Sequence, residues 1–453
     1  MFYNRIEELN TLKKYLNSDN LEFFILYGRR RVGKTALLKK AVYGKKGIFF
    51  VGRQVTGSTL LDAFSNEVAR LFNLHGATFK SWEDALRFVF QKAKDENIYL
   101  VLDEFQYLVE ASPELPSIIQ MLVDHEESKI KLILCSSSIS FMEKLLAYKS
   151  PVFGRKTGYM KLNPVKFEHS NDFLPDYDFH NLMKAYAITG GVPQYLNLFD
   201  TKKSISKNII DLFLSSGAPL KEEPLFILSQ ELREPKIYQS ILEALAFGYN
   251  RPGDIASKIG FSDSRKIQPY LHNLITLNIV QKEIPVTIKN PIRTRKGIYV
   301  ISDPLFRFWY RFVFPYLQYL EFGQIEPVIE QLEKNFEQFV SFQFEKEARI
   351  FLSSTLGFDR IGRFWENDLE IDIIGKKRDQ WFIGECKWRN RNITQSDLNT
   401  LYKKEKALGV KPSCYILVSK TGFKNNLEIM QNIMLVKLDR DKGWIIDKKC
   451  VLN

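Results

Sequence analysis

Eight consecutive residues, Gly28-Arg29-Arg30-Arg31-Val32-Gly33-Lys34-Thr35, carry the spacing G-x-x-x-x-G-K-T. The chemistry this spacing serves is phosphate binding. Glycines without a Cβ let successive backbone N–H groups curl around phosphate oxygens, and a helix opening at the end of the loop adds its positive pole. Gly28 to Ala36 would thus line the phosphates of ATP, with Lys34 reaching the β- and γ-phosphates and Thr35 a ligand of Mg2+. A second pair, Asp103-Glu104, ends the apolar run Tyr99-Leu100-Val101-Leu102. Asp103 would hold the Mg2+ and Glu104 would polarise the attacking water, which makes the site hydrolytic. A third set lies far along the chain. Glu370-Ile371-Asp372 and Glu385-Cys386-Lys387 each space two charged residues two positions apart. On a strand such residues share a face. Asp372 and Glu385 would offer hard oxygens to one or two Mg2+ or Mn2+ ions. Lys387 would position a water nucleophile or balance developing charge.

Strands and helices must place these groups. Up to residue 163 the apolar runs FFILYG, GIFFVG, IYLVLDE and IKLILCSSS alternate with amphipathic segments. That alternation predicts an α/β fold, a parallel sheet with crossover helices. FFILYG leads into the phosphate loop and TALLKKAV leaves it as a helix. From 164 to 225 helical segments take over, broken at Gly190-Gly191-Val192-Pro193 and Gly217-Ala218-Pro219. Residues 226–320 read as helix, helix, turn, helix and hairpin, a winged-helix pattern. Its third helix would present Ser264, Arg265, Lys266 and Gln268, and Lys289, Arg293, Arg295 and Lys296 would lie in the wing. The aromatic segment Pro304–Pro315 reads as an interdomain core helix. Residues 327–453 open with a long helix and continue through LEIDIIGK, QWFIGECKW and CYILVSK, a second α/β domain.

With these motifs the chain resembles the archaeal-type ATPases of the AAA+/STAND group, in which a P-loop domain is followed by a helical lid. Four more segments carry the resemblance through about residue 225. Asn4-Arg5-Ile6-Glu7-Glu8-Leu9 is similar to the family's G-R-E-x-E-L box, which implies that Arg5 lies near the adenine; Asn4 replaces the usual glycine. Leu132–Ser138 is similar to the sensor strand, which implies that Ser136 or Ser137 watches the γ-phosphate, with Cys135 a departure from the family's pattern. Pro151–Gly158 is similar to a segment bearing an arginine, here Arg155. This would be an arginine finger, in cis or from a neighbouring copy, or else a solvated loop residue. Thr189–Pro193 resembles the lid's G-x-P motif, which implies Pro193 beside the adenine. The tail resembles the PD-(D/E)-x-K nuclease superfamily, although Leu369-Glu370-Ile371 stands where the P-D would precede Asp372. A helical glutamate often joins such sites; Glu337 is the best match and Glu345 the second.

The 453 residues suggest about three domains, resolved here as 1–163, 164–225, 226–320 and 327–453 with the lid counted apart. With 45% apolar and 26% charged residues, a mainly disordered chain is excluded. No apolar run has the length of a membrane span, and acidic residues appear at once near the start where a secretory segment would be apolar. The four cysteines are dispersed and none has zinc-ligand spacing, so a cytoplasmic, reduced protein with no membrane partner is expected. The formal net charge is +12, and residues 376–411 hold ten Lys/Arg against four acids, a local +6 that points to DNA as a partner. The expected function is an ATP-hydrolysing switch coupled to a nuclease-like, DNA-acting domain. The alternatives are a DNA-binding regulator that does not cleave, and a signalling or assembly ATPase whose tail binds protein, as a homo-oligomer or otherwise.

Overall fold

The computed structural model describes residues 3–450, except 75, 77, 289, 291–293 and 295. Lys289, Arg293 and Arg295, expected in the wing, fall outside the described residues. The chain divides into two compact units, one of residues 1–165 with 192–194, the other of residues 166–191 with 195–453.

In the first unit, apolar runs form five strands. These are β1 (Glu22–Tyr27), β2 (Gly47–Val51), β3 (Tyr99–Asp103), β4 (Lys131–Ser136) and β5 (Gly158–Lys161). They make one sheet in the order β2-β3-β4-β1-β5, with every pairing parallel. The central three, β1, β3 and β4, are buried on both faces. Phe23, Ile25, Leu100, Leu102 and Leu134 pack on one face, and Phe24, Leu26, Val101, Ile133 and Cys135 on the other. The carboxyl ends of β1, β3 and β4 therefore lie side by side. That edge is where open parallel sheets place ligands. β5 is a short edge strand whose Tyr159 is exposed.

In the second unit, the helix Phe179–Thr189 stops at Gly190, whose φ is +63°. A Cβ there would also lie 2.8 Å from the Pro304 ring, so both conformation and space require glycine. The helices Pro235–Ala246, Pro252–Lys258 and Gln268–Thr276 precede an antiparallel pair, β6 (Val280–Glu283) and β7 (Ile298–Ile301). Ser264, Arg265 and Lys266 sit in a 3-10 turn ahead of the third helix. The aromatic helix Pro304–Phe312 is packed inside: Phe306, Phe308, Trp309 and Tyr310 are fully buried, and Trp309 Nε1 donates to the Lys221 carbonyl at 2.7 Å.

A 31-residue helix, Glu326–Leu356, then runs about 46 Å. It is followed by β8 (Arg360–Glu366), β9 (Leu369–Lys377), β10 (Gln380–Lys387), the helix Gln395–Leu408, β11 (Cys414–Ser419), β12 (Ile433–Asp439) and β13 (Gly443–Lys448). The six strands make a mixed sheet in the order β13-β12-β11-β10-β9-β8. β10, β11 and β12 pair in parallel, and the outer pairs are antiparallel. The cysteines depart from the expectation of four reduced thiols. Cys414 and Cys450 are 36 positions apart in sequence, yet their Cα atoms come to 6.2 Å and they form a disulfide. The fold of β11 to β13 back across the sheet edge makes the meeting possible; Cys135 and Cys386 are free and buried. Among the described residues no helix is long and apolar enough to cross a membrane.

Candidate active site

The phosphate loop leaves the end of β1 at Gly28, where φ is +154° and a Cβ would sit 2.4 Å from the Leu162 carbonyl oxygen. Only glycine passes at that distance. Gly33 follows with φ +96° and caps the helix Lys34–Val42, and Arg31, between them, is also at positive φ, +141°. This leaves the backbone of residues 28–36 wrapped around the helix N-terminus, as the spacing predicts. Lys34 is buried and donates Nζ to the carbonyls of Gly28 at 2.7 Å and Arg29 at 3.0 Å. Burial pulls its pKa down, and neighbouring anionic groups, Glu104 and Asp103 among them, oppose that pull. Arg30 donates to the Tyr107 hydroxyl at 3.2 Å.

Thr35 Oγ1 donates to Asp103 Oδ2 at 2.7 Å, which joins the loop to the end of β3. Asp103 Oδ1 accepts the backbone N–H of Glu104 at 2.9 Å, and Glu104 itself is in the left-handed region at φ +50°. The Glu104 carboxylate accepts Ser137 Oγ at 2.6 Å and Gln106 Nε2 at 2.5 Å. Gln106 Oε1 in turn accepts Ser136 Oγ at 2.6 Å. Both serines at the end of β4 are thus linked to the acidic end of β3, Ser137 directly and Ser136 through Gln106. Gln106 was not evident from the motifs; its only sequence signal is its place two residues after Glu104. Cys135 is fully buried, and burial together with Asp103 pushes its thiol pKa far up, so it stays neutral beneath the site.

The segments around this centre behave differently. Arg5 is buried; its Nη2 donates to Asn163 O at 2.6 Å and Val32 O at 3.3 Å, and its Nη1 pairs with Glu8 at 2.8 Å. It therefore braces the phosphate loop from behind through Val32. Asn4 has φ +40°, the conformation that explains glycine at the equivalent place in the resembling family. Pro193 starts the short helix Pro193–Leu196, one residue after Gly190 and Gly191, both at positive φ. Arg155 is not brought to the loop's lysine or to Asp103. Its Nε and Nη2 hold the Asp124 carboxylate at 2.9 Å, and Nη1 donates to Pro151 O at 3.0 Å.

The tail residues converge at the junction of β9 and β10. The antiparallel register runs to Gly384 opposite Ile373, which brings Glu385 beside Asp372. Asp372 Oδ2 accepts the Cys386 N–H at 2.8 Å, and Lys387 Nζ lies 2.7 Å from Glu385 Oε1. Burial, then Glu385, push the Asp372 pKa up to about 6. Burial alone would lower Lys387, but Glu385 keeps its pKa above the usual value. Lys404, absent from any motif, grips both Glu385 oxygens at 2.9 and 2.7 Å from the helix Gln395–Leu408. Glu337 is a correction. It pairs with Lys184 at 2.7 Å and accepts Trp388 Nε1 at 2.7 Å, away from Asp372. Glu345 is the helical glutamate near Asp372: burial, then the Asp372 charge, push its pKa up. The two are eight residues apart on one helix, so about 12 Å separates them along the axis. Among the described residues no group of three or more His, Cys, Asp or Glu is arranged to hold a metal ion.

A family model described as an ATPase domain predominantly from Archaea matches residues 2–199. An uncharacterized protein of Methanocaldococcus jannaschii is 35% identical over 430 residues, 90% of this chain and 93% of that one. The chain belongs to this archaeal ATPase family. The protein is an ATP-hydrolysing enzyme, and the matched region holds the entire phosphate loop, Asp103, Glu104 and the end of β4. A second model, described as "Archaea bacterial proteins of unknown function", matches residues 309–401 and includes Asp372, Glu385 and Lys387. An uncharacterized ATP-binding protein of the same organism is 54% identical over 46 residues, 10% of this chain and 78% of that one. Among solved structures, the ORC2 protein of Aeropyrum pernix is similar with a TM-score of 0.46 at 14% identity, over 72% of this chain and 96% of that one.

Proposed function

We propose that this archaeal ATPase is a Mg-ATP-driven switch whose C-terminal sheet is a nuclease-like module acting on DNA. The observation that carries the proposal is the meeting of Asp372, Glu385 and Lys387 on two adjacent strands, in the same chain as a complete phosphate loop. On this reading residues 164–225 are the lid and residues 226–320 a winged helix.

At the ATP site, the oxygens of Thr35 and Asp103, 2.7 Å apart, form a donor set suited to a hard divalent cation. These two residues would hold Mg2+, which neutralises charge on the β- and γ-phosphates when bound. Lys34 would exchange the carbonyls of Gly28 and Arg29 for phosphate oxygens. Glu104, held by Ser137 and Gln106, would orient the attacking water and accept its proton. Through Gln106, Ser136 would report the γ-phosphate to the same carboxylate. Arg155, held by Asp124, would not act on the phosphates of its own chain; as an arginine finger it would have to serve a neighbouring copy. Arg5 would shape the loop from behind, and Pro193 would lie beside the base. At the tail, Asp372 and Glu385 would hold Mg2+ or Mn2+, and Lys387 would position water for attack on a phosphodiester.

One observation favours a second reading, a DNA-binding regulator that does not cleave. Lys404 and Lys387 together already neutralise Glu385. A nuclease assay on single- and double-stranded DNA with Mg2+ or Mn2+, with and without ATP, decides between them. Metal-dependent cleavage lost in Asp372→Ala and Lys387→Ala is the expected result. Salt-sensitive duplex binding without strand breaks selects the regulator, and neither cleavage nor binding removes DNA as the partner. Lys34→Ala in parallel is expected to cut ATP turnover by about a hundredfold or more; unchanged turnover would remove the phosphate-loop role.

A further inference from the structure

Residues of the second unit line a cavity of about 430 Å3 whose wall carries Arg307, Arg311 and Arg363 and no acidic side chain. Arg363 has two counter-ions outside the wall, with Nε 2.9 Å from Glu283 Oε2 and Nη1 3.8 Å from Glu370 Oε1. Among the described residues, neither Arg307 nor Arg311 comes within ion-pair distance of a carboxylate. The Arg307 guanidinium sits between two rings, 4.2 Å from the centre of Phe339 and 4.3 Å from that of Phe342. One Nη donates to the Phe339 carbonyl at 3.2 Å. A guanidinium has five N–H donors, so most of its hydrogen-bonding capacity is unspent on the protein. Arg311 lies 5.1 Å over the Phe247 ring.

Burial draws the Arg307 pKa down to about 9, the response of a cation without a partner anion. Glu345 is the acid whose field reaches it, but no carboxylate oxygen stands within ion-pair distance among the described residues. Removing a cation from water without an opposite charge is costly, and such groups persist where an anion completes them. The rest of the wall combines the Phe247 ring and the outer parts of Phe339 and Phe342 with the Gln338 amide and the amide oxygen of Asn335, whose Nδ2 already donates to Gln331. Arginines that fork onto phosphate, rings that stack and amides that read a planar heterocycle are the elements of nucleotide recognition. The volume lies in the range of small-ligand sites.

We infer that this cavity is a second nucleotide site, separate from the phosphate loop, in which Arg307 and Arg311 bind the phosphate of a 5′-nucleotide and the aromatic and amide wall receives its base. A free mononucleotide and the phosphorylated end of a nucleic-acid strand offer the same chemistry. The site does not depend on the nuclease reading of Asp372, Glu385 and Lys387.

The test is calorimetric titration of the full chain carrying Lys34→Ala, which keeps the phosphate loop from answering for the cavity. The probes are AMP, GMP, CMP and UMP, and a 5′-phosphorylated ten-nucleotide strand beside its unphosphorylated form. The expected result is 1:1 binding of at least one mononucleotide, or of the phosphorylated strand alone, weakened about tenfold or more by Arg307→Gln and by Arg311→Gln. Binding by a mononucleotide assigns the free ligand, and binding only by the phosphorylated strand assigns the strand end. Arg311→Gln alters a half-buried side chain with a single ring contact, so it tests the site even where Arg307→Gln fails to fold. No binding of any probe up to about 1 mM, or binding that Arg311→Gln leaves unchanged, overturns the inference.

Discussion

Gln106 bridges the two strands that end in the ATP site, accepting from Ser136 and donating to Glu104. Replacing it with leucine keeps the bulk but removes both bonds. Gln106→Leu is expected to lower kcat for ATP about tenfold with KM nearly unchanged, because a carboxylate left free to rotate orients water less often. Steady-state turnover checks this, and an unaltered kcat removes Gln106 from the catalytic network. The contrast with Glu104 shows what a sequence can disclose about a residue. Gly28 to Thr35, Asp103 and Glu104 are readable because their spacing encodes a loop and a strand end. Gln106 acquires its role from β4, which is distant in sequence, and Lys404 acquires its role from β10 in the same way. Glu337 and Glu345 share one helix and one residue type, so composition cannot tell which of them faces Asp372.

The long helix Glu326–Leu356 also carries Glu347, buried and bonded by Gln343 Nε2 at 2.8 Å. Burial raises its pKa from 4.5 to about 7. A carboxyl with a raised folded-state pKa favours the folded protein fully below about pH 4.5, and that contribution is lost as pH rises through about 7. The difference amounts to about 3 kcal/mol across the window. Glu347→Gln keeps the acceptor for Gln343 and cannot ionise. The drop in Tm between pH 5 and pH 8 should therefore shrink by several degrees in the variant; an equal drop in both proteins places the titration elsewhere. Elements differ in how openly they announce themselves. β1, β3, β4 and β11 are nearly continuous apolar runs, and β10 is betrayed by its charged Glu385-Cys386-Lys387 end. β5, β8 and β13 are edge strands with polar residues interleaved, which weakens the hydrophobic signal. β12 is different: Ile433 to Val436 is as apolar as β11, and only the lack of a charged motif hides it.

Across the whole molecule, the basic surplus is the property most visible in composition and the least informative about free surface. Of the ten Lys/Arg in residues 376–411, Lys387 and Lys404 are spent on Glu385, and Arg389 on Asp397. Pairing depends on the folded register, so charge counting could locate the basic segment but not measure what remains for a polyanion. The disulfide was hidden for a related reason, since 36 residues of strand and turn must fold before Cys450 reaches Cys414. Cys450→Ser is expected to lower stability by about 4 kcal/mol under oxidising conditions and to change little under reductant, measured by denaturant unfolding. An equal loss in both conditions would mean that the serine itself, and not the lost cross-link, disturbs the fold. The same bond has a mechanical consequence. Tension applied to the carboxy terminus would not peel β13 from the rim of the sheet strand by strand. It would pass through the sulfurs into β11, two places inward, where resistance comes from shear against a neighbour on either side.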